Sequence, residues 1–392
     1  MLKRFILMLS ICCLSISCVE PYQLETTNFE EAIVIEATIT NELKNQEIKL
    51  SKTYKFEENG PAFETGAHVS LTDDQGTDYE FQEQSDKYVS TAPFQAVAGR
   101  SYTLNIVLAD GKSYRSTPET LTATNTIESV VPQVFTTPEG ARGVNINVSS
   151  FDPTGNSKYY RYEYEETYKI IVPFWRAYNL FYNDMAGDFE LVLRDSETKT
   201  CYSTSYSNDI VLTTTNGLSE DRVDNFPMHF ISDQDAKISY RYSILVKQYI
   251  QNLEAYTFYK TLKDLSGSES LLSQNQPGFF FGNIKSVENP NEKVIGFFDV
   301  SSVSQKRIFF NYTDLFPGEP LPPYFYQCTP IEFDTAANTS PNPSPKDHLI
   351  AALLDNSLLY YDQNGPTYIM VFPQCGDCTS FSSNIIPSFW ED

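Results

Sequence analysis

The chain has 392 residues, with 28 Lys and Arg against 51 Asp and Glu, a formal net charge of −23. That length accommodates two or more domains, and that charge repels phosphate backbones, which excludes nucleic acid as a natural partner. Aromatic residues make up 14% of the chain, with 26 Tyr and 27 Phe against 2 Trp, a composition that fits pleated, half-buried sheet surfaces and not a disordered chain.

The N-terminal run MLKRFILMLSICCLSISC opens on Lys3 and Arg4 and continues as an apolar stretch from Phe5 to Leu14. A bilayer span needs roughly 20 residues, so this stretch is too short to cross one and has the size and flanks of a secretory signal core. Ser17 then precedes Cys18, which resembles a bacterial lipobox, although Ser15 stands where leucine is usual. The expected organisation is a signal peptide over 1–17 and a tether over 18–26 whose Cys18 carries a diacylglyceryl lipid. Cys12 and Cys13 fit worse, because cleavage there leaves almost no apolar core. Buried acyl chains contribute about 0.8 kcal/mol per CH₂, enough for two or three chains to hold a protein at a membrane. Losing Lys3 and Arg4 with the leader takes the net charge to −25. Anionic headgroups then repel the body, and the lipid is the only expected membrane contact.

Residues 27–122 read as an N-terminal β-sandwich of the immunoglobulin-like or transthyretin-like kind. In AIVIEATIT, Ile33, Ile35, Ala37 and Ile39 alternate onto one face. HVSLTDDQGTDYEF is a hairpin with Val69 and Leu71 before a turn at Asp74-Gln75-Gly76 and Tyr79 and Phe81 after it. Its acidic turn lacks the carboxylate spacing of a calcium loop. RSYTLNIVLADGKSYRS repeats the pattern, with Tyr102, Leu104, Ile106 and Leu108 on one face and a turn at Asp110-Gly111. Residues 117–130 read as a linker or a crossing strand.

Residues 123–392 read as a larger β-rich domain with one or two short helices. KYYRYEYEETYKI puts Tyr160, Tyr162 and Tyr164 on one face and Tyr159, Arg161 and Glu163 on the other. ISYRYSILVKQYI is a longer strand of the same kind. A helix follows, capped by Asn252, with Glu254 in its first turn and Ala255, Phe258, Tyr259 and Leu262 on one face. Gly267 lies past its end. A second helix is expected at 345–354, with Ser344 as cap, Pro345 at the first position and Asp347 at the third. Before it, SPNPSP is a rigid loop. Aromatic residues at strand period read first as packing. FWRAYNLFYNDM, with Phe174, Trp175, Tyr178, Phe181 and Tyr182, is the better candidate for binding a ligand, the bland alternative being a buried helical turn.

Cys201, Cys328, Cys375 and Cys378 remain beyond the anchor. An even count in an exported chain favours two disulfides, in any of three connectivities. For the CGDC at 375–378, a redox pair and a zinc site are weaker readings: Pro373 and Gln374 precede it where a Trp or similar is usual, and only one close pair exists. His68, His229 and His348 are the only histidines and form no ligand cluster. No nucleophile elbow, phosphate loop or dinucleotide fingerprint is present, and pairs such as Glu165-Glu166 are ordinary in an acidic chain. The expectation is a protein that is not an enzyme and uses no metal or cofactor beyond the lipid.

The lipobox-like start, AGRSYTLNI…DGKSYRS, the segment around Cys201 with DIVLTT, YRYSILVKQY, NQPGFFFGNIKSVENPNEKVIGFFDVSS, Arg307-Ile308-Phe309-Phe310 and CGDC…NIIPSFW together resemble the Bacteroidota lipoproteins catalogued as domain of unknown function 4249. The resemblance implies a lipid-anchored outer-membrane protein, facing the cell exterior or the periplasm, and a companion of a TonB-dependent receptor. It transfers no catalytic residues. Two functions follow as expectations: a binding or accessory module in nutrient capture, or a structural subunit of an envelope complex with no ligand of its own.

Overall fold

The computed structural model describes residues 31–54, 60–266, 282–336 and 343–392. The expected signal, Cys18 and its tether, Gly267 and the first half of SPNPSP lie outside the described residues. The protein is mainly β, with several sheets and four short helices among the described residues.

The first body starts as expected. Strands Ile33–Thr40, Glu47–Lys52, His68–Asp73, Asp78–Gln84, Lys87–Ser90, Ser101–Val107 and Ser113–Ser116 bury one face each. Ile35, Ala37, Ile39, Val69, Leu71 and Leu104 are essentially inaccessible, whereas Glu36 and Lys49 on the opposite face are exposed. The period of two in the sequence is therefore read out directly as inside and outside.

Two further strands come from far along the chain. Ile284–Ser286 pairs with Ser113–Ser116. The first half of Val294–Asn311 runs parallel to Ile33–Thr40, from Ile33↔Val294 to Thr40↔Ser301. Asn283 then bonds across to Phe298 in both directions, at 2.7 and 2.8 Å, which draws the far edge of the sheet back to its near edge. The sheet begun at residue 33 is thus completed by residues 284–301, not within 27–122. Gly296 makes this possible. Its φ is +154°, and a Cβ there would stand 2.3 Å from the Ile35 carbonyl oxygen.

The second half of the same strand belongs to the second body. It pairs with Arg241–Gln251, from Ile250↔Ser302 to Arg241↔Asn311. Beyond lie Tyr159–Ile171, Thr200–Tyr206 and Val211–Thr214. A three-stranded sheet of Ile127–Thr136, Arg142–Asp152 and Asp221–Ser232 covers one face. Tyr160, Tyr162, Ile244 and Val246 meet Val144, Ile146 and Val148 in that core. Between the bodies, Thr122 ties the crossing segment to both, its hydroxyl donating to Ile250 O at 2.8 Å and its N–H to Val300 O at 3.3 Å.

Helix Leu253–Ser266 has the expected cap, Asn252 Oδ1 accepting from Ala255 N at 2.7 Å. It packs Ala255 and Phe258 on Phe297. Helix Pro345–Leu354 is closed by a reciprocal pair, Ser344 with Asp347. It lies on a small sheet of Ile331–Asp334, Leu359–Asn364 and Thr367–Val371.

Candidate functional site

The aromatic stretch chosen from sequence does not gather into one cup. Phe174 and Trp175 precede a strand and are anchors. The Phe174 ring meets Tyr361 edge-on at 4.9 Å, and Trp175 Nε1 donates to Thr198 at 3.3 Å. Tyr178, Phe181 and Tyr182 lie on strand Tyr178–Asn183, which forms a two-stranded ribbon with Asp188–Leu193. Tyr182 packs on Phe189, while Tyr178 and Phe181 are exposed. The alternative of a buried helical turn also fails, because residues 178–183 are extended.

The concave site lies elsewhere. A trough of about 570 Å³ runs along the seam where the outer faces of the two bodies meet. Glu36, Thr38 and Lys49 of the first sheet form one wall. Arg161, Glu163, Lys247 and Tyr249 form the other, on the strand faces turned away from the Tyr160 and Tyr162 core. Phe258, Tyr259 and Leu262 of helix Leu253–Ser266 roof one end. A second cavity of about 600 Å³, bordered by Glu119, Thr257 and Lys285, lies along the same helix and shares Phe258 and Phe297 with the trough.

Arg161 is the centre of the trough. Its guanidinium lies 4.4 Å from the Tyr249 ring centroid and 4.7 Å from that of Tyr259, and its Nη1 pairs with Glu163. Burial pushes the Glu163 carboxyl up, but Arg161 and the Tyr249 hydroxyl outweigh it and hold the group below the usual range. Burial and Glu163 push the Tyr249 hydroxyl up, so it stays protonated and donates to Glu163 at 2.9 Å. Asp299 is buried nearby, its carboxyl raised by that burial against the pull of Arg161. Arg161 Nε, Asp299 Oδ1 and Gln251 Oε1 have no hydrogen-bond partner among the described residues. Buried polar atoms are nearly always paired, so these three mark unmet hydrogen-bonding capacity beside the trough, as Asn125 Oδ1, Ser150 Oγ and Asp221 Oδ2 do in the core of the second body. Lys49 and Lys247 form no ion pair among the described residues.

The family model described as Domain of unknown function (DUF4249) matches residues 19–307. The chain belongs to the DUF4249 family. No curated protein matches this DUF4249 chain. The matched range holds every trough residue named above, while Cys328, Cys375 and Cys378 lie beyond it. The likenesses at Ile308-Phe309-Phe310 and at CGDC…NIIPSFW therefore run past the matched range.

In this DUF4249 protein the four cysteines make two disulfides, Cys201–Cys378 and Cys328–Cys375. The two cysteines of CGDC bond to different partners, so they are not a redox pair. They fasten the chain end across the second body. Tyr202 N–H donates to Ser383 O at 2.8 Å, and the Trp390 ring meets Tyr202 at 4.9 Å and Phe309 at 5.7 Å.

Of the ordinary-looking pair Glu165-Glu166, the second is the polar hub of the second body. Glu166 accepts from Lys237 Nζ at 2.6 Å, Tyr242 OH at 2.6 Å and Ser205 Oγ at 2.8 Å, and His229 Nε2 stands 3.8 Å away. Burial pushes its carboxyl up, but these donors outweigh that and hold it at about 2. Both oxygens are committed to holding five elements together, which is a structural arrangement. Sequence reading passed over Arg161, Glu163, Lys247 and Tyr249 as site residues. Their one signal was charge on the second face of a tyrosine strand.

Proposed function

We propose that this protein is a binding module of the cell envelope, tethered at the outer membrane by lipid on Cys18, that holds a small solute in the seam trough and works beside a TonB-dependent receptor in nutrient capture. The trough carries the reading. It places a guanidinium held between two tyrosine rings on its floor and the amines of Lys49 and Lys247, which form no ion pair among the described residues, on its walls. Such a mixture of apolar faces and a few convergent polar groups is the usual make-up of a solute site. The same strand, Val294–Asn311, builds part of both bodies that flank the trough, which favours a preformed cleft that binds without large rearrangement. A binding role without catalysis is supported by the Glu166 cluster, whose carboxylate oxygens are occupied by structural donors.

The test pairs purification with growth. The tagged full chain is recovered from detergent-solubilised envelopes of the cells that make it. An outer-membrane barrel is expected to copurify. Cells carrying Lys49→Glu/Lys247→Glu are expected to grow poorly on one class of nutrient and normally on others. Recovery of no barrel, together with growth indifferent to the trough variant, would overturn the reading in favour of a structural subunit.

A further inference from the structure

Among the described residues, most sheet edges carry a protecting device. Edge strand Ile127–Thr136 carries Pro132, and Asp221–Ser232 carries Pro227. Ile284–Ser286 and Ile331–Asp334 are short, Leu359–Asn364 is interrupted by a register shift, and Thr200–Tyr206 is met by the chain end through Ser383. Strand Asp188–Leu193 has none of these devices. Its six residues, DFELVL, contain no Pro, Lys or Arg, and its register with Tyr178–Asn183 is unbroken. No second strand pairs with it among the described residues.

The backbone phase shows which groups face outward. Arg194 N–H donates to Ala177 O at 2.8 Å, so the bonded pairs of this antiparallel ladder are Asn179↔Val192 and Phe181↔Glu190. The N–H and C=O of Leu191 and Leu193 therefore point to the open edge. Their side chains are exposed too, as are those of Val192, Phe181 and, at 98%, Met185 at the ribbon tip. A lone two-stranded ribbon is marginal in water. This one is held from one side, where Leu180 is buried among Leu349, Tyr360 and Tyr368.

We propose that Asp188–Leu193 is a docking edge, on which an extended segment of a partner protein adds as a third strand. The chemistry of the edge specifies the segment. Asp184, Asp188 and Glu190 are exposed and form no ion pair among the described residues. The added strand therefore carries Lys or Arg opposite Glu190 and apolar residues at the alternate positions that meet Leu191 and Leu193. A second copy of the chain is the poorer occupant. Self-pairing would crowd two sets of these carboxylates onto one ribbon, in chains that each carry a net charge of −23. This proposal is independent of the trough.

The experiment uses the full chain and two ten-residue synthetic peptides that alternate Val with Lys or Val with Glu. Fluorescence anisotropy reads binding, and hydrogen exchange reads the Leu191 and Leu193 amides. The lysine peptide is expected to bind at least about tenfold more tightly than the glutamate peptide and to slow exchange at both amides. Leu191→Pro removes an outward N–H but no bond of the ribbon's own ladder, and is expected to weaken binding by about tenfold. Glu190→Lys, a surface change that leaves the ladder intact, is expected to reverse the charge preference. Equal binding by wild type and both variants would overturn the proposal. So would exchange at Leu191 and Leu193 that neither peptide slows, or a dimer of the chain alone with those amides already protected.

Discussion

Replacing Glu166 by Gln tests the account of the second body most directly. Glutamine keeps the shape of the side chain and imitates the protonated acid, so it removes the charge alone. The carboxyl falls from the usual 4.5 to about 2, because the donors from His229, Lys237, Tyr242 and Ser205 outweigh the cost of burial. A shift of that size corresponds to about 3 kcal/mol. The folded-state value is depressed, so this stability is fully present above pH 4.5 and drains away as pH falls towards 2. Urea unfolding at a series of pH values, followed by tyrosine and tryptophan fluorescence, reads it. At pH 7 the variant is expected to be less stable by about 3 kcal/mol, and near pH 2 the two proteins are expected to converge. Asp152 is also held at about 2, burial being outweighed by bonds from Thr154, Ser157 and Asn156, so both proteins keep a residual acid slope. A stability gap that stays constant from pH 7 to pH 2 would refute the assignment of charge as the cause.

Two further outcomes follow from packing. Cys378→Ser opens the link to Cys201, which closes a separation of 177 residues, and is expected to cost about 3 kcal/mol and to expose residues 379–392 to limited proteolysis under conditions where wild type resists. An unchanged digestion pattern would mean that Trp390 and the Ser383 bond hold the tail unaided. Gly296→Ala forces a Cβ against the Ile35 carbonyl and is expected to cost at least about 2 kcal/mol by thermal or urea unfolding, with loss of the first body's cooperative transition.

Much of the architecture was legible because local rules governed it. Ile33 to Ile39 and Tyr102 to Ile106 alternate without interruption, so their faces follow from period two alone. The helices at 253 and 345 carry caps whose geometry requires only neighbours in sequence, Asn252 with Ala255 and Ser344 with Asp347. What escaped was long-range. No pattern in 27–122 announces that its sheet lacks a strand, because a parallel partner such as Val294 leaves no local mark on Ile33. The trough escaped for the same reason, since Arg161, Lys49 and Tyr259 converge only after both bodies are assembled. The aromatic stretch at 174–185 misled because exposed and anchoring rings have the same composition, and only tertiary context separates Trp175 from Phe181.

The strand Val294–Asn311 also sets the order in which this polypeptide can mature. Ile33–Thr40 leaves the ribosome early, yet the neighbour it needs is roughly 260 residues behind it, a wait that makes ring closure slow. Until that neighbour emerges, an apolar edge stays open to any other extended chain. A nascent-chain chaperone that shields it would shorten the hazard, and a fragment ending at residue 122 would never escape it.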